Sequence, residues 1–198
     1  DEMITPYELA GKEKPVLLPS LEQEIFERNR FGDGRDWYTL EGAATVTHGD
    51  LCYLTYSANA YVNVDYFVGT AVAGVHNHFL SMEWKKYPSE REWYPLLKKN
   101  ELVEGTGHNT ITKAPDLLED WIIYHGRKAD EELIHGKEQR EMRIDRLIFN
   151  GEQLVCNGPT QEKMEVPGNP TAAVRGITTD QKWKFTECGG FYIAELWI

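Results

Sequence analysis

Cysteine is scarce in this sequence, and its three residues, Cys52, Cys156 and Cys188, lie far apart without a CxxC pair. A disulfide framework needs an even set of cysteines, and a zinc-thiolate site needs closely spaced ones. Cys52 stands inside the run LCYLTYS, which indicates a small buried residue rather than a reactive thiol. The cysteine pattern therefore excludes both a disulfide scaffold and a thiolate metal centre.

Long hydrophobic runs are also missing, because no stretch approaches the roughly 18 apolar residues of a membrane-spanning helix. The first residues have neither the basic flank nor the apolar core of a secretory signal, and they do not resemble a natural translation start. Together with the unpaired cysteines, this favours a cytoplasmic location and leaves secretion open.

Positive charge is in short supply, with 21 Lys and Arg against 32 Asp and Glu, for a formal net charge of −11. Such a surface repels phosphate backbones and anionic lipid, so we expect no nucleic-acid partner and no membrane partner. A neutral oligosaccharide or polysaccharide is compatible with this charge, although the charge does not select it.

Helical periodicity is rare. The best candidate helix is residues 20–28, SLEQEIFER, in which three apolar side chains share a face after a serine cap. Elsewhere the chain consists of short runs rich in Tyr, Val, Ile, Thr and Trp, separated by Gly, Asn, Asp and Pro. This pattern predicts an all-β protein.

The predicted strands form two similar sets of four. The first set is EGAATVT (41–47), LCYLTYS (51–57), DYFVGTAVA (65–73) and FLSMEW (79–84), and the second is GHNTITK (107–113), DWIIYHG (120–126), REMRIDRLIF (140–149) and QLVC (153–156). Tyr56 and Tyr124 occupy equivalent places, as do Glu41 and His108. A repeat of four strands at this spacing is typical of β-propeller blades. An antiparallel sandwich remains the alternative.

Four segments follow from this pattern. Residues 1–36 form a lead-in with one predicted strand at residues 15–18, residues 37–156 form two blades, residues 157–172 form a linker, and residues 173–198 form a β-rich tail that could begin a sandwich. Two blades cannot close a ring, because each blade buries its faces against neighbours. We therefore expect a companion segment or self-association to complete the propeller.

Candidate chemistry begins where the innermost strand of each blade starts, because those positions line the central funnel. Glu41 and His108 both hold that place, so they are expected to meet in one cavity. A partly buried glutamic acid can keep its proton near neutral pH and donate it to a departing glycosidic oxygen. The alternative for Glu41 is an ordinary surface glutamate at a strand start.

Three stretches resemble glycoside hydrolase family 43: TLEGAATVTHGDLCYLTYSANAYVNVDYFVGTAVA, GTGHNTITKAPDLLEDWIIYHG and REMRIDRLIFNGEQLV. They carry the Glu-Gly pair, the Gly-His-Asn stretch and the Arg-containing strand in the family's order over residues 37–156. The resemblance implies a five-bladed β-propeller that hydrolyses β-xylosides, α-arabinofuranosides or arabinans with inversion. It implies no required cofactor, with a calcium ion in the central cavity as a further expectation.

The resemblance also implies roles. Glu41 falls on the general acid, His108 on a histidine that orients active-site groups or helps to hold the cation, and Arg140 near an arginine that contacts the sugar, with Arg143 as the next candidate. Trp37 precedes the Glu41 strand together with Tyr38, and the pair could form a sugar-stacking wall. Alternatives are a hydrogen-bonding loop role for His108 and a solvated, salt-bridged edge for either arginine.

The family mechanism also needs two aspartates, one as the base that activates water and one that tunes the acid. They belong to blades before the Glu-Gly blade, and Asp1, Asp33 and Asp36 open no recognisable inner strand. We therefore expect the base to lie outside this chain. The competing functions are a non-catalytic carbohydrate-binding or scaffolding propeller fragment and, as a weaker reading, a domain that interacts through β-edge pairing.

Overall fold

The computed structural model describes residues 1–130, 138–164 and 167–168, and the backbone of residues 182–188 and 191–197. Almost all of its regular structure is strand, as the all-β prediction required. The strands are β1 (Met3–Thr5), β2 (Glu8–Leu9), β3 (Ile25–Glu27), β4 (Trp37–Tyr38), β5 (Leu40–His48), β6 (Leu51–Ala58), β7 (Phe67–Gly74), β8 (Lys85–Lys86), β9 (Pro88–Ser89), β10 (Glu92–Trp93), β11 (Val103–Lys113), β12 (Asp120–Lys128), β13 (Glu141–Asn150), β14 (Gln153–Cys156), β15 (Lys182–Cys188) and β16 (Phe191–Trp197). Two 3-10 helices, Glu22–Glu24 and Phe79–Ser81, complete the list. Within the described ranges, no helix has the length and apolar character needed to cross a membrane.

Two four-stranded antiparallel sheets dominate the fold. Strands β5-β6-β7-β8 form blade one, and strands β11-β12-β13-β14 form blade two, each in simple sequential order. Tight turns connect β5 to β6 at Gly49 and β13 to β14 at Gly151, both with positive φ, a conformation that glycine adopts without steric cost. The predicted repeat of four strands is therefore present twice.

The blades pack against each other through one apolar core. Blade one contributes Tyr53, Val68 and Val72, blade two contributes Ile122 and Leu147, and all five side chains are buried. The Tyr53 hydroxyl also donates a hydrogen bond to the carbonyl of Gly151 in blade two. Each large side chain buried in this way contributes roughly 1.5–3 kcal/mol. This core fixes the inner strands β5 and β11 against each other.

Three predicted elements are wrong. Residues 79–84 were expected as the fourth strand of blade one, but a 3-10 helix occupies Phe79–Ser81 and the fourth strand is Lys85–Lys86. The apolar side chains of this stretch pack against each other, since the ring centroids of Phe79 and Trp84 lie 5.5 Å apart. Residues 15–18 form no strand, and Val16 and Leu17 instead pack in irregular conformation against the outer face of blade one.

The helix predicted at residues 20–28 is replaced by the 3-10 turn Glu22–Glu24 and strand β3. A buried ion pair explains the difference, because Lys86 Nζ lies 2.7 Å from Glu24 Oε1 with both side chains inaccessible to solvent. Glu24 is held in place by this partner, and the chain continues extended so that β3 pairs with β4. Tertiary contacts thus override the helical pattern.

The C-terminal part contains a two-stranded antiparallel hairpin of β15 and β16. The β-rich character expected of the tail is therefore confirmed. Residues 157–164 and 167–168 contain no strand, and the predicted boundary between linker and tail at 172/173 lies outside the described residues.

Candidate active site

Both inner strands carry a β-bulge at the point where the candidate residues sit. In β5 the pairing passes from Glu41↔Ser57 to Ala44↔Thr55, so one extra residue is inserted, and Gly42 has a φ of +61°. In β11 the pairing passes from Gly107↔His125 to Thr110↔Ile123, and His108 has a φ of +51°. A bulge bends a strand and redirects its side chains. The two blades therefore use the same device at equivalent positions.

The bulges bring the two strand starts together. A Cβ atom placed on Gly42 would lie 3.3 Å from His108 Cγ, so the backbone after Glu41 touches the His108 side chain. The positive φ and this close approach both require glycine at position 42. Glu41 is half-buried and His108 is exposed, so both sit where the interior opens to solvent.

The Glu41 carboxylate accepts a hydrogen bond from a buried phenol. Tyr66 Oη lies 2.7 Å from Glu41 Oε1, and the Tyr66 side chain is inaccessible to solvent. Burial, together with the hydrogen bond to Glu41, raises the pKa of Tyr66 well above its ordinary range. Tyr66 therefore remains a neutral hydrogen-bond donor throughout the physiological pH range.

His125 from β12 completes the group on the blade-two side. Its ring stacks on Tyr66 with centroids 5.6 Å apart and planes 13° from parallel. Burial and the nearby positive charge of Arg140 lower the pKa of His125 to about 4, against the weaker opposing effects of Glu138 and Glu41. The imidazole is accordingly neutral at neutral pH, which leaves it able to hydrogen-bond without adding charge.

Arg140 lies at the open side of this group, immediately before β13. Its guanidinium pairs with Glu138 and lies 4.9 Å from the centre of the Tyr61 ring. It borders a shallow groove of about 420 Å³ that His108 and His125 also line. A planar cation at the edge of an open groove, next to an exposed aromatic ring, is suited to binding a hydroxyl-rich ligand.

Arg143, the second arginine candidate, has a different environment. Its side chain is buried, and it donates to the Thr160 carbonyl at 3.1 Å and to Glu141 Oε2 at 2.9 Å. It thereby ties β13 to the segment that follows β14. Of the two arginines, Arg140 is the one at the groove.

Trp37 does not join the group around Glu41. It lies in β4, 44% exposed, and its ring contacts Phe31 at 5.7 Å and the Arg30 guanidinium at 5.0 Å. These contacts belong to the lead-in segment. The sugar-stacking role predicted for Trp37 and Tyr38 stays a prediction, and Tyr61 is the exposed aromatic side chain that contacts Arg140.

A calcium ion at His108 stays a prediction as well. Among the described residues, no group of three or more His, Cys, Asp or Glu side chains lies close enough together to hold a metal ion. Calcium takes six to eight oxygen ligands, and an imidazole supplies none. The described residues therefore do not form a calcium site by themselves, and no chemical step is assigned to a metal.

The aspartates of the lead-in segment form hydrogen bonds and an ion pair within that segment. Asp1 caps backbone N–H groups of Gly11 and Lys12, and Asp36 accepts from the Asn29 N–H at 2.9 Å. Asp33 pairs with Arg35, which lowers the pKa of this carboxyl. Within the part of the chain that the structure describes, no aspartate hydrogen-bonds to Glu41 or lines the groove beside His108 and His125.

Fold and site together define a segment of a β-propeller in which Glu41 of β5, His125 of β12 and Arg140, just before β13, lie close together beside an open groove. The sequence profile of Glycosyl hydrolases family 43 matches residues 11–153. The chain belongs to this family.

Two curated relatives agree with this assignment. The chain is 28% identical over 158 residues to the extracellular exo-α-(1→5)-L-arabinofuranosidase of Streptomyces avermitilis, a match that covers 76% of this chain and 29% of the relative. It is 26% identical over 191 residues to α-L-arabinofuranosidase 43 of Humicola insolens, covering 88% of this chain and 36% of that protein. The chain thus spans about a third of the length of these relatives.

Solved structures support the partial propeller. A thermostable family-43 glycoside hydrolase superposes with a TM-score of 0.59 at 30% identity, covering 80% of this chain and 46% of the other. The α-L-arabinofuranosidase from Lactobacillus brevis superposes with a TM-score of 0.55 at 26% identity, covering 78% and 44%. The all-β, partial-propeller prediction is confirmed, and the sandwich alternative for the two sheets is not.

Tyr66, Ser57 and His125 were not predicted as site residues. Each stands inside a stretch that resembles the family, in DYFVG, LTYSAN and WIIYHG. Their juxtaposition depends on the register of β5 with β6 and of β11 with β12, which brings Ser57 opposite Glu41 and His125 opposite Gly107. Two bulges set that register, and the glycines at 42 and 107 were the available signal.

Proposed function

We propose that this chain is the acid-bearing part of an inverting glycosidase that hydrolyses pentose-containing glycosides, with Glu41 as the general acid. In this reaction the bond between the anomeric carbon and the glycosidic oxygen breaks while the Glu41 proton moves to the departing oxygen. A water molecule attacks the anomeric carbon from the opposite face, and its proton goes to a carboxylate base. The base comes from a companion segment that is not part of the described chain.

The observation that carries the proposal is the environment of Glu41. Within the described residues, Glu41 makes no ion pair, and its hydrogen-bond donor is the neutral hydroxyl of Tyr66. Its second oxygen accepts no hydrogen bond within the described residues, so that oxygen is available to a substrate oxygen. The groove beside it, with Arg140 and His125, offers polar groups for sugar hydroxyls.

Substrate and partners follow from the relatives. Both curated relatives are named as arabinofuranosidases, which supports arabinofuranosides as substrates, with xylosides as the second pentose class. The groove is open rather than enclosed, which fits an oligosaccharide or polysaccharide. The relative from Streptomyces is named as extracellular, so a cytoplasmic location gains no support and secretion stays compatible.

The test compares substrates with different leaving groups. It uses the complete enzyme, that is, the natural protein that contains this chain. Glu41→Gln removes the acid proton while keeping the size of the side chain. We expect turnover of alkyl arabinofuranosides to fall by about 10²- to 10⁴-fold, because their leaving oxygen needs protonation. Dinitrophenyl arabinofuranoside, whose leaving group departs unprotonated, should lose far less. An equal loss on both substrates would refute the acid role.

The isolated 198-residue chain provides a second measurement. If the base lies on a companion segment, the isolated chain shows no turnover with aryl xylosides or aryl arabinofuranosides. Strong turnover that disappears in Glu41→Gln would place the base on this chain and contradict that part of the proposal.

A non-catalytic carbohydrate-binding propeller is the second candidate. It is favoured by the finding that, in the described residues, no aspartate contacts Glu41. In that case the complete protein binds arabino-oligosaccharides without turnover, and Glu41→Gln changes the binding constant only. Calorimetric titration with an arabino-oligosaccharide, together with the turnover assay, separates the two functions.

A further inference from the structure

Tyr66 is held in one orientation by three neighbours. Its ring packs closely against Gly107, where an added Cβ atom would come within 1.9 Å of Tyr66 Cε1. The ring of His125 stacks parallel to it, and Thr106 Oγ1 contacts its carbonyl oxygen at 3.4 Å. A ring confined in this way has little freedom to swing away, so its hydroxyl is aimed in a fixed direction.

That direction is toward Glu41. The hydroxyl donates to Glu41 Oε1 at 2.7 Å, within the usual range for a hydrogen bond to a carboxylate. Behind it lies Ser57, which is fully buried and accepts the His108 backbone N–H at 2.7 Å. The nearby Ser57 hydroxyl lowers the pKa of Tyr66, against the larger raising effect of burial.

The hydrogen bond therefore runs from Tyr66 to Glu41. This direction matters for a carboxylic acid, which has two oxygens and one proton. An oxygen that already accepts a hydrogen bond from a phenol is the less favourable place for that proton. The acid proton is then confined to Oε2.

We propose that Tyr66 is a positioning residue for Glu41, whose hydroxyl keeps the acid proton on Oε2 and steadies the carboxylate after the proton has left. The inference rests on the proposed acid role of Glu41 and adds the group that orients it. Tyr66 itself neither gains nor loses a proton in the reaction.

The test is Tyr66→Phe in the complete enzyme, which removes the hydroxyl and keeps the ring that packs on Gly107. Removing a hydrogen bond to a charged group predicts a fall in kcat of roughly ten- to a hundredfold for alkyl arabinofuranosides. KM should remain unchanged, because no substrate contact is lost. Dinitrophenyl arabinofuranoside should react at nearly the original rate. The alkaline limb of the kcat/KM profile should move to higher pH, since the ionised carboxylate has lost a donor.

Tyr56→Phe is the matched control. Tyr56 is also buried and also donates to a glutamate, Glu24, at 3.0 Å, but that pair lies between blade one and the lead-in segment. This variant should lose stability while its folded fraction keeps both the leaving-group dependence and the pH profile.

The outcomes separate the inference from the proposed function. If Glu41→Gln slows substrates with poor leaving groups selectively while Tyr66→Phe behaves like Tyr56→Phe, Glu41 is the acid and the positioning role of Tyr66 is overturned. If Glu41→Gln shows no such selectivity, the acid role itself fails and the inference falls with it. A leaving-group-selective loss with a shifted alkaline limb in Tyr66→Phe supports the inference.

Discussion

Glu24 and Glu41 both accept a hydrogen bond from a buried tyrosine hydroxyl, yet their surroundings differ in every other respect. Glu24 is fully buried and holds Lys86 Nζ at 2.7 and 2.9 Å, Tyr56 Oη at 3.0 Å, and the backbone N–H groups of Ser20 and Leu21 at 2.8 and 3.1 Å. Its charge is balanced and its lone pairs are used. This carboxylate has a structural task, because it fastens the lead-in segment to blade one.

Glu41 stands on blade one itself, with a single described donor, Tyr66, no cationic partner among the described residues, and a partly exposed side chain. A carboxylate whose lone pairs all accept hydrogen bonds cannot bind a further ligand. A carboxylate with an unengaged oxygen beside an open groove can exchange a proton with a ligand bound there. Under the proposed assignment, the number and charge of the donors, more than burial alone, distinguish the structural carboxylate from the acid.

The largest expected effect in this comparison comes from Lys86→Met. The substitution leaves Glu24 buried without its counter-charge, which typically destabilises a protein by about 3–5 kcal/mol. Urea unfolding measures the loss. Lys99→Met is the control, because Lys99 pairs with Asp65 at an exposed position and should change stability by only about 0–1 kcal/mol. Equal losses of stability in the two variants would mean that the ion pair of Glu24 with Lys86 does not stabilise the attachment of the lead-in segment to blade one.

Gly107→Ala tests the Glu41 side of the comparison. The added methyl would fall 1.9 Å from the Tyr66 ring, so the ring or strand β11 must move, at an expected stability loss of about 3 kcal/mol. The displaced hydroxyl should also slow turnover of alkyl arabinofuranosides. Gly74→Ala meets no heavy atom within 4 Å and is the matched control. Unchanged stability and turnover in Gly107→Ala would contradict the packing of Tyr66.

Tyr124→Phe tests whether a buried tyrosine that donates to a carboxylate also contributes to stability in blade two. Tyr124 donates to Asp145 Oδ2 at 2.6 Å, and Asp145 also accepts from Thr160 Oγ1 at 2.6 Å. Because the second donor remains, we expect a loss of about 1.5 kcal/mol in the free energy of unfolding. Chemical denaturation of the variant checks this value, and a loss as large as that of Lys86→Met would mean that Asp145 depends on Tyr124 alone.

The smallest effect concerns the pH dependence of stability at the site. The folded-state pKa of His125 is lowered to about 4 from an ordinary value of 6.5, so the unfolded chain binds the proton more readily. Its contribution to stability is present above about pH 6.5 and is lost as the pH falls toward 4. The difference in Tm between pH 7 and pH 4.5 should therefore shrink in His125→Gln. His78→Gln, in an exposed loop, should retain the original difference.

The sequence was sufficient to predict the repeated four-strand pattern, since alternating apolar runs and glycine turns are local signals. It also indicated that Glu41 and His108 hold equivalent places, and the structure brings them together. Roles for Glu41, Arg140, Trp37 and His108 remain predictions, because the comparisons concern the whole chain rather than single residues.

What the sequence did not reveal depends on contacts between distant residues. Lys86 and Glu24 are far apart along the chain, so the helix predicted at residues 20–28 could not be rejected from local pattern. The fourth strand of blade one was misplaced because the aromatic residues at 79 and 84 pack on each other instead of alternating between two faces. Tyr66 was missed because its partner Glu41 is two strands away in blade one.

The most direct measurement compares Glu41→Gln with Glu24→Gln in the complete enzyme, recording both urea stability and turnover of an alkyl arabinofuranoside. We predict that Glu41→Gln unfolds near the original urea concentration with turnover nearly abolished, whereas Glu24→Gln unfolds much more easily while its folded fraction turns over normally. Full turnover in folded Glu41→Gln would contradict the assignment of Glu41 as the acid.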